Sequence, residues 1–483
     1  MRRATPKPVP FALMLVTMLL AFARCAVNPA TGERQLSFIG ETGEIAMGRE
    51  YDQQVVAQMG LYPDQALQQY IQQLGSRLAA TSERPDLPWT FRVVDDPVVN
   101  AFALPGGFIY ITRGILAHFQ SEAELAAVLG HEIGHVTARH SVNQASKQQL
   151  AQIGLVVGMV LKPELQQYAG VASAGLGLLF LKYGRDDERQ ADDLGLRYMR
   201  RANYDGRRMP NVFSMLERVS QASGGGGTPE WLSTHPNPEN RRERIERAIT
   251  TLPTDSLGTL VNAESYLRRL DGLIFGQNPR DGFFRGSDFF QPDLAFRFTF
   301  PQGWTTQNQR NAVVGVSASE DALVQVTIAQ EAGPASAARA FFAQEGVSGT
   351  PSASSINGLN AEGGDFAAAI EGGTLQGRVM FVSYGGNVYR LMAYAGEAGW
   401  PAQAATATAA IQSFQRLTDQ TMLAVQPIRL DIITLDAPLT VAEFARRYAS
   451  PVSAEVVALV NQRSADGRLP RGLAKGMEGQ RLP

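Results

Sequence analysis

The chain has 483 residues, a hydrophobic content of 44% and 44 Lys and Arg against 46 Asp and Glu, for a formal net charge of −2 at pH 7. This length predicts several domains at roughly 100 to 200 residues each, and the composition excludes disorder throughout. The balanced charge argues against a nucleic-acid partner, and a single cysteine excludes an internal disulfide or a thiolate metal cluster.

Residues 1–25 have the pattern of an export signal. Arginines and a lysine precede the uncharged run Phe11–Ala23, which is too short to span a bilayer about 30 Å thick comfortably. Cys25 follows, and this arrangement resembles a bacterial lipoprotein signal, in which the cysteine is acylated. Because Arg24 stands where such signals carry a small residue, an ordinary cleaved signal and an uncleaved anchor remain alternatives. We expect an exported, periplasmic protein that a lipid can hold on the outer-membrane surface.

Residues 35–252 are predicted to form an α+β domain that is mostly helical. Helical spacing of apolar residues and short runs of β-branched and aromatic residues predict two helices and two strands: Glu41–Met59, Pro63–Ala80, Trp89–Val94 and Gly107–Thr112. Later in the domain, Gly224–Gly227 interrupts a helical pattern and predicts a flexible loop.

The segment His131–His135, with the sequence His-Glu-Ile-Gly-His, carries the strongest chemical signal. Its two histidines are four residues apart, so they project from one face of a helix and can share one metal ion. Ser121 and Glu124 predict a capping box at the start of that helix. Imidazoles favour zinc, and Glu132 can take a proton from a zinc-bound water, whose pKa falls to about 7. A third protein ligand is still needed.

That ligand is predicted further along the chain. His140 would point about 140° away from His135 on a continuous helix. We therefore interpret it, like His118, as structural. Glu188 and Asp192 are also four residues apart at the start of a helix, so one carboxylate can bind zinc while the other orients a ligand imidazole. We predict one zinc per chain, held by both histidines of the motif and Glu188, with Asp192 beside a ligand.

The sequence changes character after residue 252. Residues 253–287 form a glycine-rich connector, and Phe296–Phe300 begins a strand-rich stretch, so residues 288–417 are predicted as a sheet packed by helices. Four further strands and two helices are expected there: Val313–Val316, Leu323–Ile328, Glu362–Ala369, Arg378–Ala395, Ala335–Gln344 and Trp400–Phe414. Residues 428–483 predict a strand and two helices: Asp431–Thr434, Thr440–Tyr448 and Ser453–Asn461.

These motifs resemble metallopeptidase family forty-eight. Its HExxH and ExxAD motifs match His131–His135 and Glu188–Asp192, and its Asn-Ala-Phe segment matches Asn100, Ala101 and Phe102. The resemblance implies that Asn100, Ala101 and Phe102 lie on an edge strand over the cleft. An extended polypeptide substrate could bind to such a strand by β-pairing.

His235 lies in a Thr-His-Pro segment that resembles a further segment of the family. The resemblance implies that His235 faces the zinc and is catalytic, where it either steadies an oxyanion or caps the metal. A turn residue before proline is the alternative. Arg241, six residues later, is expected to support the site, and a solvated helix face is its alternative.

The flanking parts complete the expected fold class: a multidomain protein with a zincin-like metalloprotease domain. Cys25 to Leu36 is similar to exported lipoprotein members of the family, and Phe296–Trp304 resembles the PsbP-like α/β domains that follow some of them. Residues 428–483 resemble a small LysM module, although Asp436-Ala437-Pro438 replaces the usual Gly-Asp-Thr turn. This resemblance implies contact with peptidoglycan or an envelope complex.

Two short apolar runs, Leu150–Leu161 and Ala169–Leu181, lie between the two motifs. Each is shorter than a membrane-spanning helix. They predict a helical hairpin over the cleft, with membrane contact as the alternative.

The functional hypothesis is an exported zinc metalloendopeptidase that cleaves misfolded or unassembled envelope proteins. In it, Glu132 activates water and later protonates the leaving amine. A periplasmic chaperone or scaffold of the same fold is one alternative. A glycan-binding anchor that uses residues 428–483 is another.

Overall fold

The computed structural model describes residues 24–147, 183–222, 231, 235, 240–370 and 372–480. The following predictions lie outside these residues: the export signal up to residue 23, Leu150–Leu161, Ala169–Leu181 and Gly224–Gly227. Within the described part, no helix combines the length and apolar character needed to cross a membrane.

The chain divides into two compact units. Met1–Leu273 and Leu430–Met477 form one, and Ile274–Arg429 with Glu478–Pro483 forms the other. The predicted domain limits, 35–252, 288–417 and 428–483, divide the chain more finely than these two units do. They remain predictions.

The first unit contains most of the helices. Before residue 273 its strands are β1 (Arg24–Val27), β2 (Arg34–Ser37), β3 (Thr90–Val94), β4 (Ala101–Leu104) and β5 (Phe108–Thr112). Its helices there are α1 (Glu41–Met59), α2 (Gln65–Ala79), α3 (Arg113–Leu116), α4 (Glu122–Thr137), α5 (Arg185–Arg201), α6 (Met209–Ala222), α7 (Arg241–Thr251) and α8 (Ala263–Arg269). The predicted mostly helical α+β composition is confirmed for this part, and the predicted ends of α1, α2, β3 and β5 agree with the structure to within two residues.

A three-stranded sheet lies beside the helices in the order β3, β5, β4. β3 runs parallel to β5, and β4 runs antiparallel to it with Ala101 opposite Ile111. Gly106 and Gly107, with φ of 78° and 101°, make the turn between β4 and β5 that residues with a Cβ rarely adopt. Among the strands that the structure describes, β4 is therefore an edge strand, and it packs against α4.

Helix α4 begins where the sequence predicts. The Ser121 hydroxyl accepts from the Glu124 amide at 3.4 Å, which caps the first turn. The Glu124 carboxylate accepts from the Gln120 amide at 2.7 Å and not from Ser121, so only half of the predicted capping box forms.

Helices α4 and α5 approach closely because small residues face each other. A Cβ built on Gly134 would lie 3.1 Å from the Ala191 Cα, and one built on Gly195 would lie 2.9 Å from the His131 amide nitrogen. This contact brings the His131–His135 motif of α4 beside the first turns of α5. After Thr137 the helix ends, Arg139 has a φ of 60°, and helical structure resumes over residues 140–147.

The second unit is built around an antiparallel sheet. Its strands are β6 (Phe283–Arg285), β7 (Asp288–Gln291), β8 (Phe296–Thr299), β9 (Thr305–Gln309), β10 (Ala312–Val316), β11 (Ala322–Ala329), β12 (Val347–Gly349), β13 (Ser352–Ile356), β14 (Leu359–Ile370), β15 (Gly373–Tyr384), β16 (Asn387–Gly396) and β17 (Gln415–Arg416). Its helices are α9 (Pro334–Phe342), α10 (Trp400–Gln412) and α11 (Gln420–Leu423).

Helices cover both faces of the larger sheet, whose main path is β12, β14, β15, β16, β11, β10, β9. Along β15, Met380 shares a core with α10, whereas its neighbours Val379 and Phe381 share a core with α9. The predicted sheet packed by helices is confirmed. The prediction of a single strand over Arg378–Ala395 is wrong, because the chain turns back at Gly385 and Gly386.

The chain then returns to the first unit. This segment holds β18 (Arg429–Leu435), β19 (Leu439–Thr440), α12 (Val441–Arg447), α13 (Ala454–Val460), β20 (Arg468–Leu469) and β21 (Gly472–Glu478). β18 pairs with β21, and the predicted strand and two helices are confirmed. Its small core is formed by Leu435, Val441, Phe444, Val457, Ala458, Leu469 and Ala474.

Candidate metal centre

Four buried side chains meet at one point in the first unit. His131 and His135 come from α4, Glu188 comes from the first turn of α5, and His235 follows α6 in the chain. Each offers one donor atom, and all four donors lie within 4.8 Å of one another. None of the four residues is more than 2% exposed. The structure therefore brings together the three predicted ligands and His235.

The donor spacing fits a tetrahedral metal ion. Bonds of about 2.0 to 2.1 Å place neighbouring ligands about 3.3 Å apart in such a site. His135 Nε2 lies 3.0 Å from His131 Nε2 and 3.4 Å from Glu188 Oε1. His131 Nε2 lies 3.6 Å from Glu188 Oε2. Two imidazoles and a carboxylate form a donor set that binds zinc.

Glu132 gives an independent test of that fit. Its side chain is fully buried, and neither carboxylate oxygen accepts a hydrogen bond from any of the residues that the structure describes. The imidazole nitrogen His235 Nε2 lies 3.6 Å from Glu132 Oε1. A buried carboxylate without donors is strongly destabilising unless a cation or a bound water compensates it. The residues present therefore fit a zinc ion and its water.

Asp192 and Arg241 hold the His131 ring. Asp192 Oδ1 lies 3.1 Å from His131 Nδ1, and Arg241 donates to both Asp192 oxygens at 2.6 and 2.9 Å. Burial raises the pKa of Asp192, but Arg241 and His131 outweigh it, so that pKa falls to about 2. Arg241 also lies 2.8 Å from Glu188 and is 1% exposed, so the solvated-face alternative for Arg241 is wrong.

The charge of this buried cluster favours a dication. Glu132, Glu188 and Asp192 are three fully buried carboxylates, whereas Arg241 is the one buried guanidinium beside them in the described structure. The partly exposed Arg244 lies 3.4 Å from Asp192 and offsets part of this charge from the solvent side. With neutral histidines, the buried groups alone leave two negative charges to be compensated. A divalent cation supplies that compensation.

His140 corrects a prediction. It was expected to point away from His135, but its Nδ1 lies 2.9 Å from His135 Nδ1. The reason is the helix end at Thr137, because the left-handed backbone at Arg139 turns His140 back toward the site. Nothing in the sequence marks this bend, since glycine or asparagine is the usual signal for a left-handed residue.

His235 points into the centre. Its ring stacks on Trp231 with centroids 4.8 Å apart, and its Nδ1 lies 3.3 Å from His131 Nε2 and 2.9 Å from Glu188 Oε1. Burial lowers the pKa of His235, but the carboxylates of Glu188 and Glu132 outweigh burial and raise it. The neighbouring residues 234 and 236 lie outside the described part.

The predicted substrate-binding residues lie at and beside the edge strand. Ala101 and Phe102 open β4, and Asn100 precedes it. Asn100 is buried, and its Oδ1 has no partner among the residues described. The Phe102 ring stacks on Tyr110 at 4.8 Å, so this side chain supports the sheet.

A helix-borne His-Glu-x-x-His pair joined by a glutamate from a second helix defines a metallopeptidase type of site. A family model described as "Peptidase family M48" matches residues 65–249. The matched residues hold the His131–His135 and Glu188–Asp192 motifs, so the predicted resemblance to this family is confirmed over that part of the chain.

Curated relatives are similar over the same part. The putative beta-barrel assembly-enhancing protease of Vibrio cholerae is 34% identical over 216 residues, which cover 42% of this chain and 44% of the relative. The mitochondrial metalloendopeptidase OMA1 of Arabidopsis thaliana is 37% identical over 171 residues, 35% of this chain and 33% of the relative. OMA1 of Schizosaccharomyces pombe is 31% identical over 233 residues, which cover 47% of this chain and 66% of the relative. The chain thus spans less than half of the first two relatives.

Solved structures give only a weak likeness. Cyanobacterial PsbP from Synechocystis sp. PCC 6803 is 13% identical, with a TM-score of 0.24, and the match covers 28% of this chain and 94% of that one. LpqN of Mycobacterium tuberculosis, described as involved in cell envelope biogenesis, is 16% identical with a TM-score of 0.19 over 27% of this chain and 83% of that one. TM-scores this low do not assign a fold, so the PsbP-like and LysM-like assignments remain predictions.

Proposed function

We propose that the chain is an exported zinc metalloendopeptidase of the cell envelope. The observation that carries this proposal is that His131, His135 and Glu188 lie together in a buried cluster beside Glu132. The Glu132 carboxylate accepts no hydrogen bond from the described residues. The family match over residues 65–249 and the metalloendopeptidase names of the relatives support the same activity.

In this proposal His131, His135 and Glu188 hold one zinc. When bound, zinc supplies a water of lowered pKa and polarises the peptide carbonyl. The Glu132 carboxylate accepts the proton of the attacking water and returns it to the leaving amine. Asp192 and Arg241 fix the ring of His131, because a carboxylate that is itself held by two hydrogen bonds cannot rotate away.

Two further groups face the substrate in this proposal. His235 presents an imidazole at the reacting centre, either as a donor to the developing oxyanion or as a cap on the metal. Edge strand β4, with Ala101, Phe102 and the preceding Asn100, receives the extended peptide along the backbone edge that no strand of the described structure pairs with. The buried Asn100 Oδ1 supports this role, since a substrate amide could donate to it.

The substrates and location proposed are those of an envelope protease. Relatives in Vibrio cholerae and Escherichia coli are named beta-barrel assembly-enhancing proteases, which supports envelope polypeptides, misfolded or unassembled, as substrates. A lipid on Cys25 would hold the protein on the outer-membrane surface. Residues 428–483 would contact peptidoglycan or an envelope complex.

Replacing Glu132 by glutamine tests this function. Losing a general base lowers turnover by about a hundredfold to ten-thousandfold. We expect one zinc per chain in wild type and Glu132→Gln, casein cleavage lost in the variant, and wild-type cleavage in the exposed control Glu246→Gln. The chaperone alternative instead predicts one zinc but no zinc-dependent cleavage in any of the three proteins. Absence of zinc from wild type would refute the metal centre itself.

A further inference from the structure

A chain of hydrogen bonds links the amino-terminal turn to the metal ligand His135. Asn28, between β1 and β2, donates from Nδ2 to Gln190 Oε1 at 3.1 Å. The same Gln190 oxygen lies 2.8 Å from His140 Nε2. His140 Nδ1 then lies 2.9 Å from His135 Nδ1. Asn28 and His140 are 5% and 4% exposed, and Gln190 between them is half-buried.

The backbone fixes the direction of the first link. Asn28 Oδ1 accepts from the Ala30 amide at 2.9 Å, and an amide nitrogen can only donate there. The other end of the Asn28 side chain is therefore its NH₂ group, which donates to Gln190. This contact orients the Gln190 amide so that its oxygen, and not its nitrogen, faces His140.

The direction of hydrogen-bond donation is then fixed at both imidazoles. Because an amide oxygen only accepts, His140 Nε2 must carry the hydrogen and donate to it. The Asp187 carboxylate lies 3.7 Å from the same nitrogen, beyond hydrogen-bond distance, and favours the same form. The neutral His140 ring then has a free lone pair on Nδ1, which accepts from His135 Nδ1–H. His135 is thereby left with a free lone pair on Nε2, the atom that lies 3.0 Å from His131 Nε2 in the metal centre.

We propose that the amino-terminal turn sets the metal-binding tautomer of His135, which makes Asn28, Gln190 and His140 positioning residues for zinc. This inference rests on the proposed function only in that the centre binds zinc. It gives the segment just after Cys25 a part in the metal site. His131 needs no such chain, since Asp192 is an acceptor on its own and fixes the Nδ1–H form directly.

Asn28→Asp tests the proposal with almost no change of shape. One oxygen of the new carboxylate still accepts from Ala30, and the other repels the Gln190 oxygen. Gln190 then turns its nitrogen toward both neighbours, which reverses each donor and acceptor along the chain. His135 ends with a hydrogen on Nε2, so it cannot bind zinc until the chain is broken.

Zinc affinity, measured by competition with a chelator on the full chain, gives the expected order. Changes around a metal ligand weaken binding by about tenfold to a hundredfold. We expect that loss for Asn28→Asp and a smaller one for Asn28→Ala, which removes only one of two donors to Gln190. Thr31→Ala, in the same turn but at an exposed contact to Glu33, should match wild type.

The order separates this mechanism from simpler effects. An added negative charge would by itself strengthen cation binding, and a purely structural asparagine would tolerate aspartate better than alanine. Both effects predict the opposite order. Zinc affinity of Asn28→Asp equal to or above that of Asn28→Ala would overturn the proposal.

Nitrogen NMR of the metal-free wild-type chain, labelled at its five histidines, tests the same tautomers without any substitution. We expect the hydrogen on Nδ1 of His135 and on Nε2 of His140. The opposite forms would overturn the inference. If wild type binds no zinc, the proposed function fails as well, whereas zinc binding with the opposite tautomers refutes this inference alone.

Discussion

The two ends of helix α4 are held in different ways. At its beginning, the Ser121 hydroxyl caps the first turn, and the carboxylate of Glu124 lies near the helix amides. From the carboxyl-terminal segment, Gln462 donates to Glu124 at 2.9 Å, and Lys475 donates to the carbonyls of Ala117 and Phe119 at 2.8 and 2.5 Å. An acidic side chain thus lies at the positive end of the helix dipole.

At its end, cations and the amino-terminal part of the chain hold the helix. Arg84 donates to the Val136 carbonyl at 3.1 Å, where the dipole is negative. Arg84 and Arg139 both donate to Glu44 of α1, which is fully buried. Glu44 also accepts from the Gly106 amide in the turn after edge strand β4. The end of α4 that bears His135 thus depends on one buried carboxylate, whereas the capped end has several smaller contacts.

Removing that carboxylate should give the largest effect. Glu44→Ala leaves Arg139 without a carboxylate partner and Arg84 with only the exposed Glu41 in the described structure. Breaking a buried ion pair in this way costs about 3 to 5 kcal/mol. We follow the unfolding of the first unit in urea by its retention of zinc. The urea concentration at the midpoint should fall sharply in this variant. Glu50→Ala, an exposed glutamate on the same helix, is the matched control. Equal midpoints in the two variants would show that this end of α4 does not depend on Glu44.

His118 should give a smaller, pH-dependent effect at the capped end. Burial lowers the pKa of His118 to about 4 from an ordinary 6.5. Between these values the unfolded chain takes up a proton that the native chain does not, so stability falls as pH drops from 6.5 to 4. A difference of about 2.5 pKa units corresponds to roughly 3 kcal/mol, all of it lost below pH 4.

Urea unfolding of wild type and His118→Asn at pH 7 and pH 4.5 measures this loss of stability on acidification. The asparagine keeps a donor for the Gly114 carbonyl, which His118 contacts at 2.8 Å, but it does not titrate. We expect the variant to lose less stability on acidification than wild type. Identical losses would show that other groups cause the acid sensitivity of this end.

Local sequence patterns predicted how the beginning of α4 is held. The contacts at its other end involve residues far apart in the sequence, so local patterns did not predict them. Ser121 and the motif His131–His135 are recognisable because caps and metal pairs use fixed spacing within one helix. The same holds for Glu188, four residues before Asp192. The approach of His140 depends on a left-handed arginine and on Gln190, fifty positions along the chain. No spacing rule encodes such a contact.

The role of Glu44 was hidden for the same reason. On α1 it resembles any of the acidic residues of a polar helix, and its burial depends on two arginines from other parts of the first unit. The Gly385–Gly386 turn was missed although its glycines are visible, because the apolar pattern continues on both sides of it. Tertiary context, not local propensity, decides these positions.

Zinc content of Glu188→Ala tests whether the predicted ligand set is right. We expect this variant, purified without added chelator, to lose zinc as severely as His135→Ala, because each removes one of three protein ligands. Asp186→Ala, on the same helix and 96% exposed in its side chain, should keep one zinc per chain. One zinc bound at wild-type affinity in Glu188→Ala would contradict the ligand set and the site built on it.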